Sequence, residues 1–398
     1  MTSGTLQAPP PERAALPFIA LMAYLISCVA LGIDLMLASL TEIGADLSPA
    51  DPERATLVMG SFFLALGIGT FFVGPLLDSF GRKPVMIIGL GLYAVGGVLS
   101  WLAPSLTIML LGRALMGLGA AAPRVGVQAI IRDRFEGRRM AATISLVMMI
   151  FTLVPGIAPI LGDWIAEALG WRAIFAVFVL FGAIGAVWFW ALQPETLTVP
   201  QPLSFSAWGR QIKESFRIRA FRLALFIQLF VFASLYGLLT AGPAIFTDAY
   251  GAEELYPYLF GFVSISGAAS AFANARLVEG LGMVRLIRAA LVIYTGTVVL
   301  GLGGALLGGG ILAFFVPMFM GFFVLGFVIG NSQALALDPL GHIAGTSSAT
   351  LVAAATLGAG VLSIPAPLFF SGSPVAMLVA QLIFAGSALW ASLRLVRD

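Results

Sequence analysis

The chain has 398 residues, of which 60% are hydrophobic and only 10% charged, with one cysteine and one histidine. A soluble domain carries about 25% charged residues, so water is excluded as the solvent for most of this chain, and a formal net charge of +2 is too small a field to hold nucleic acid. Cys28 alone cannot form an internal disulfide or a thiolate cluster, and Cys28 with His342 is too poor a set for haem or another metal cofactor.

In chain order, a polar tail over 1–16 precedes an apolar run over 17–41. That run is far longer than the roughly 7 to 15 residues of a signal-peptide core, so it reads as a retained first span. Runs of about 20 apolar residues cross a hydrocarbon layer about 30 Å thick, and in lipid such runs must be helices. Spans are expected at 17–41, 55–77, 84–103, 106–131, 140–165 and 172–193, then at 221–246, 256–275, 285–306, 311–333, 343–370 and 374–394. Gly308-Gly309-Gly310 and Ser371-Gly372-Ser373-Pro374 break the two longest uncharged stretches.

Of the 21 Lys and Arg residues, all but Arg54, Arg172 and the in-span Arg113 and Arg124 fall on one side of this alternation, from Arg13 to Arg397. Positive loops resist translocation, so that side is expected to be cytoplasmic and to hold both termini. The opposite loops carry acids, among them Glu42, Asp46, Asp163, Asp248 and Glu254. The polar connection 194–220 bisects the chain and contains Phe205, Trp208 and Phe216 among basic residues. It is either an amphipathic segment on the membrane face or a plain loop. The expected fold is therefore all-α and integral to the membrane. It has twelve transmembrane helices in two pseudo-symmetric six-helix bundles, 17–193 and 221–398, joined by a cytoplasmic linker.

Between the second and third spans stands GPLLDSFGRKP. So short a reversal needs Gly74 and Gly81 for close approach and turning, and Asp78 faces Arg82 and Lys83 near two helix ends. Half a chain later, Glu279-Gly280-Leu281-Gly282 with Arg285 repeats an acid and a glycine at the equivalent loop, as duplication predicts. The segment resembles the signature loop of the major facilitator superfamily, matching at Gly74, Asp78, Gly81, Arg82 and Lys83 and departing at Ser79. The strings LGRALMGLGAAA, AIIRDRF, PGIAPILG, GWRAIF, ALQPETL and ALDPLGHIAGTSSA are similar to those of drug:proton antiporters of the bicyclomycin and chloramphenicol resistance type. The resemblance implies the major facilitator fold, no enzymatic activity, and a gate loop at the matching residues. It also implies efflux of small amphipathic molecules or drugs across a bacterial inner membrane. The proton gradient would be the energy source, no cofactor would be needed, and the unit is expected to be a monomer.

Three charges lie well inside spans, namely Asp34, Arg113 and Arg124, each costing about 2.5 to 3.5 kcal/mol at a helix centre on insertion scales. Asp34 and Arg113 sit at one depth, roughly 10 Å in at about 1.5 Å per residue, and are expected to be neighbours. Burial favours a neutral carboxyl and a guanidinium favours a charged one, so a change in their separation would couple protons to rocking; the resemblance implies this role too. A fixed helix-to-helix ion pair is the alternative. Arg124, next to Pro123 and above Gln128, either faces the cavity or snorkels toward the interface. Pro155, Gly156, Pro159 and Gly162 would let the fifth span bend and close an outer gate, or merely kink it. Gln228, Tyr236, Asn274, Asn331, Gln333 and Gln381 would give a mostly apolar cavity wall its hydrogen-bonding points. A proton-linked or facilitative importer of a small metabolite is the alternative function. No phosphate-binding loop for ATP and no filter motif of a channel is present.

Overall fold

A computed structural model describes residues 16–135, 137–363 and 373–395. Arg13, Arg397, most of the 1–16 tail, the Ser371-Gly372 part of the second breaker and the side chain of His342 lie outside the described residues. The first half comprises α1 (Leu16–Asp34), a short α2 (Leu40–Leu47), α3 (Leu57–Phe80), α4 (Arg82–Trp101), α5 (Leu106–Arg134), α6 (Gly137–Leu169) and α7 (Arg172–Leu192). The connection carries α8 (Phe205–Arg217), and the second half comprises α9 (Arg219–Ala244), α10 (Tyr256–Leu281), α11 (Met283–Leu306), α12 (Leu312–Leu337), α13 (Ala344–Ser363) and α14 (Pro374–Leu393). Among the described residues 12 helices are long and apolar enough to span a bilayer, and there is no strand. Ile88, Leu92, Val95 and Leu99 form an exposed apolar stripe down α4. Such a stripe at helical spacing, on a helix long and apolar enough to span a bilayer, is what a lipid-facing surface requires.

Packing repeats between the halves. α3 and α4 pack on α5 as α10 and α11 pack on α12; α4 meets α7 as α11 meets α14; α1 meets α6 as α9 meets α13. The halves touch each other mainly along two seams, α3 with α13 and α6 with α10. These seams are related by the same duplication.

The two duplicated turns share one backbone solution. Gly81 (φ 97, ψ 154) ends α3 and starts α4, and Gly282 (φ 77, ψ 153) does the same between α10 and α11. Glycine alone adopts this region without strain. Gly74, expected in the turn, instead lies inside α3, where a Cβ would stand 3.9 Å from Ala349 of α13. It therefore takes no part in the reversal, because α3 stays helical through Pro75 to Phe80, and a side chain there would make only ordinary contact with α13.

Two further expectations change. The first span does not run helically to residue 41: α1 stops at Asp34 and a 3₁₀ turn over Leu37–Ser39 leads into α2. The amphipathic alternative for the linker is the one observed. Ser204 Oγ accepts from the Ala207 N–H at 3.3 Å to cap α8. Trp208 packs on Phe71 and Phe72 of α3 at 4.6 and 5.6 Å. Thr346 Oγ1 of α13 donates to Gln211 Oε1 at 2.6 Å, and the Ser215 and Ser347 hydroxyls meet at 2.8 Å. α8 thus lies across the α3 and α13 seam at the basic end of the molecule.

Candidate transport site

Asp34 and Arg113 come from adjacent helices at one depth but do not pair. Arg113 is fully buried. Its Nη2 donates to the Gly32 carbonyl at 2.7 Å, its Nε reaches the Val58 carbonyl at 3.4 Å, and its guanidinium lies 4.5 Å from the Phe62 ring. Residues two apart on a helix do not share a face. A Cβ on Gly32 would point at Phe62 and Tyr93, so Asp34 is turned away from Arg113. Asp34 is 4% exposed and makes no ion pair among the described residues. It lies instead within electrostatic reach of Tyr256, at the start of α10 in the other half. Arg113 is satisfied largely by backbone, whereas Asp34, beside the helix break, has no cation paired to it among the described residues.

Deeper in, polar groups bridge the halves. Arg124 Nη2 of α5 donates to Thr356 Oγ1 of α13 at 3.2 Å, which places Arg124 toward the opposite half rather than snorkelling. Tyr236 of α9 is within electrostatic reach of Arg124 and stacks on Phe63 of α3 at 3.8 Å with planes 2° apart. Gln128, one turn from Arg124, is exposed. Three expected wall residues, Gln228, Asn274 and Asn331, lie elsewhere. Gln228 is fully buried and donates to Ser332 Oγ at 3.0 Å and the Ile329 carbonyl. Asn331 donates to Asn274 Oδ1 at 2.7 Å and to the Phe327 carbonyl. All three tie helices together within the second half, because a buried amide without partners costs more than one bonded to a neighbouring helix.

At the basic end the loop residues form a network. Arg82, 6% exposed, donates from Nη1 to Asp78 Oδ1 at 2.7 Å and from Nε to Asp133 Oδ2 at 3.0 Å. Thr196 Oγ1 donates to the same Asp133 oxygen at 2.8 Å. Glu195 accepts the backbone N–H groups of Arg82 and Lys83, both at 2.9 Å, and those of Thr196 and Leu197. Burial opposes its charge, but the four N–H groups outweigh that and hold the carboxyl below its ordinary range. Lys83 Nζ donates to the Trp190 carbonyl at 2.7 Å. All these partners belong to the first half and its exit. The loop reaches the second half across a cavity of about 310 Å³, lined among others by Gly74, Asp78, Arg132, Trp208, Gly341 and Thr346.

At the acidic end the fifth-span glycines take different neighbours. A Cβ on Gly261 of α10 would stand 2.6 Å from the Gly156 carbonyl, so α6 and α10 touch backbone to backbone. Gly162 meets its own half: its missing Cβ falls on the carbonyl of Leu35, beside the break in α1. Pro155 and Pro159 lie inside α6, whose helix runs on to Leu169.

Residues 18–363 match the sequence model of the Major Facilitator Superfamily. The chain belongs to that family. It is 28% identical over 350 residues to a bicyclomycin resistance protein homolog of Haemophilus influenzae, covering 85% of this chain and 86% of that one. A multidrug resistance protein, MdtL, of Escherichia coli is 35% identical over 151 residues, 38% of each chain. The fold superposes on a D-xylose-proton symporter with a TM-score of 0.75 at 16% identity, covering 95% of this chain and 97% of that one. It also superposes on the human organic anion transporter MFSD10 with a TM-score of 0.71, again at 16% identity. A multi-pass membrane transporter that takes small molecules, and not an enzyme, is what this membership establishes.

Within this superfamily member, sequence reading missed Asp133, Glu195, Thr356, Tyr256 and Gly261. Asp133 and Glu195 stand in the recognised strings AIIRDRF and ALQPETL, so a signal for them existed. Thr356, Tyr256 and Gly261 become visible only when the halves are packed together.

Proposed function

We propose that this chain is a proton-coupled exporter of small amphipathic molecules or drugs, working as a monomer by alternating access in the inner membrane of a bacterium. Its basic end and both termini face the cytoplasm, as the positive-inside rule requires. The proton gradient supplies the energy and no cofactor takes part.

The observation that carries the reading is Asp34. A carboxyl 4% exposed, with no cation paired to it among the described residues, is costly to keep charged away from water, and a proton removes the cost. It sits where the α1 break meets α6 through Gly162 and where α10 of the other half begins with Tyr256. Parting α6 from α10 admits water to the carboxyl and favours its charged form; closing them favours the neutral one. Proton occupancy and the position of the halves therefore bias each other. Arg124, Thr356, Tyr236 and Phe63 supply the substrate surface: one cation, hydroxyls and two aromatic faces between otherwise apolar helices. The Asp78, Arg82, Lys83, Asp133 and Glu195 network stiffens the first half at its basic end, so that it moves as one body. The names of the bicyclomycin and multidrug resistance relatives favour export over import.

The test expresses the chain in a strain stripped of its own exporters and screens neutral, cationic and anionic amphipathic compounds, bicyclomycin included. Inverted vesicles then receive an acid-inside pH gradient. The proposal expects raised tolerance to some compounds and their gradient-driven uptake into the vesicles. Gradient-driven loss of a preloaded compound would instead mark a proton-linked importer.

A further inference from the structure

On the lipid-facing side of the second half, α9 and α14 leave a groove of about 530 Å³, lined by Phe226, Leu382, Ile383, Gly386, Ser387 and Trp390. Gly386 keeps it open, since a Cβ there would meet nothing within 4 Å. The groove is apolar along its length and cationic at one mouth. Arg222 stands one turn before Phe226 on α9, and Arg394 one turn after Trp390 on α14, so each cation shares a helix face with a groove aromatic. Both arginines are exposed. Arg394 stacks its guanidinium on Trp390 at 4.1 Å. Arg222 donates to the carbonyls of Phe216 and Arg217 at 2.8 and 3.2 Å. Arg219 donates to the Arg394 carbonyl at 3.3 Å and holds the two helix ends together. None of these three has a carboxylate partner among the described residues.

Positive-inside topology accounts for arginines at this end of the molecule but not for their gathering at the mouth of an apolar slot. A slot that takes hydrocarbon and ends in guanidinium groups with no carboxylate partner among the described residues matches one kind of molecule, an amphiphile with an anionic head at interface depth. We infer that the groove is a binding site for an anionic phospholipid, with its phosphate on Arg222 and Arg394 and an acyl chain along Gly386 between α9 and α14. A basic pocket between spanning helices is the general form of such sites. Phenyl and indole walls give the chain a flat surface to lie on. Because α9 also carries Tyr236 to the seam between the halves, a lipid clasping α9 to α14 would stiffen a helix that has to move.

The test uses the full chain in detergent, incubated with equimolar phosphatidylglycerol and phosphatidylcholine of identical acyl chains, and counts retained lipids by native mass spectrometry. Preferential retention of phosphatidylglycerol is expected. Arg222→Gln and Arg394→Gln should each lower its retention about fivefold while leaving phosphatidylcholine unchanged. Gly386→Leu, which fills the slot, should lower the retention of both lipids. Equal retention of the two lipids by the unaltered chain would overturn the inference even if a variant failed to fold. Unchanged phosphatidylglycerol retention in the double arginine variant would do the same. A Gly386→Leu variant that dissociates a dimer without altering lipid retention would assign the groove to a second copy of the chain and overturn it as well.

Discussion

Replacing Gly81 with alanine separates two physical effects, because the duplicated turn supplies its own control. At φ 97 and ψ 154 an alanine is strained by about 1–3 kcal/mol. Gly282, at φ 77 and ψ 153, bears a comparable strain when substituted. The surroundings differ. A Cβ on Gly282 would meet nothing within 4 Å, whereas one on Gly81 would stand 2.5 Å from Glu195 Oε2. That carboxylate must swing away and release the N–H groups of Arg82 and Lys83, both held at 2.9 Å. Buried bonds to a charged acceptor are worth about 1.5–3 kcal/mol each, but Glu195 is exposed and water replaces much of the loss, so about 1 kcal/mol in total remains. Gly81→Ala should therefore destabilise by about 2–4 kcal/mol and Gly282→Ala by about 1–3 kcal/mol. Thermal unfolding of the purified protein in detergent measures both. In a Glu195→Gln background the extra cost of Gly81→Ala should shrink, the signature of coupled residues. Equal unfolding temperatures for the two glycine variants, or strict additivity with Glu195→Gln, would show that Glu195 does not penalise a side chain at Gly81.

Since the folded-state pKa of Glu195 lies below its ordinary 4.5, its stabilisation is fully present above that value and is lost as pH falls through the lowered one; the stability gap between the parent chain and Glu195→Gln should be flat at neutral pH and close in acid. Asp133→Asn removes one of the two carboxylates on Arg82 and should lower stability by about 1–3 kcal/mol, read by the same unfolding assay, with loss of transport. Arg124→Ala deletes the cation that reaches Thr356 and should reduce transport of anionic and carbonyl-rich compounds more than cationic ones in the vesicle assay. Gly261→Val places branched carbons against the Gly156 carbonyl and should hold the acidic end open, so that maleimide labels a cysteine placed at Phe260 faster than in the parent background.

The helix count was legible because lipid reduces the problem to runs of apolar residues. The Gly81 turn was legible for the same reason as its echo at Gly282, since a one-residue reversal between long helices has few solutions. Gly74 was misplaced because a glycine followed by proline reads as a turn, whereas α3 carries both residues within the helix and runs on to Phe80. The break after Asp34 had no local signal: Leu35 and Met36 are ordinary helix formers, and what stands there is the backbone of α6 at Gly162. Equal depth brought Asp34 and Arg113 together in the sequence reading, but depth says nothing of azimuth. Two residues along α1, Gly32 took the guanidinium instead. Gln228 and Asn331 show the same limit, because a polar residue in a span can serve a cavity or a neighbouring helix, and composition does not tell which.

If protonation of Asp34 couples the gradient to transport, Asp34→Asn, which fixes the neutral form, uncouples the two. Purified parent and variant chains are reconstituted in proteoliposomes, and binding of a compound taken from the susceptibility screen is measured from mildly acidic to mildly alkaline pH alongside gradient-driven transport. Asp34→Asn is expected to bind the compound with little dependence on pH and to fail to move it uphill. Uphill transport at the parent rate by Asp34→Asn would place the coupling carboxyl elsewhere.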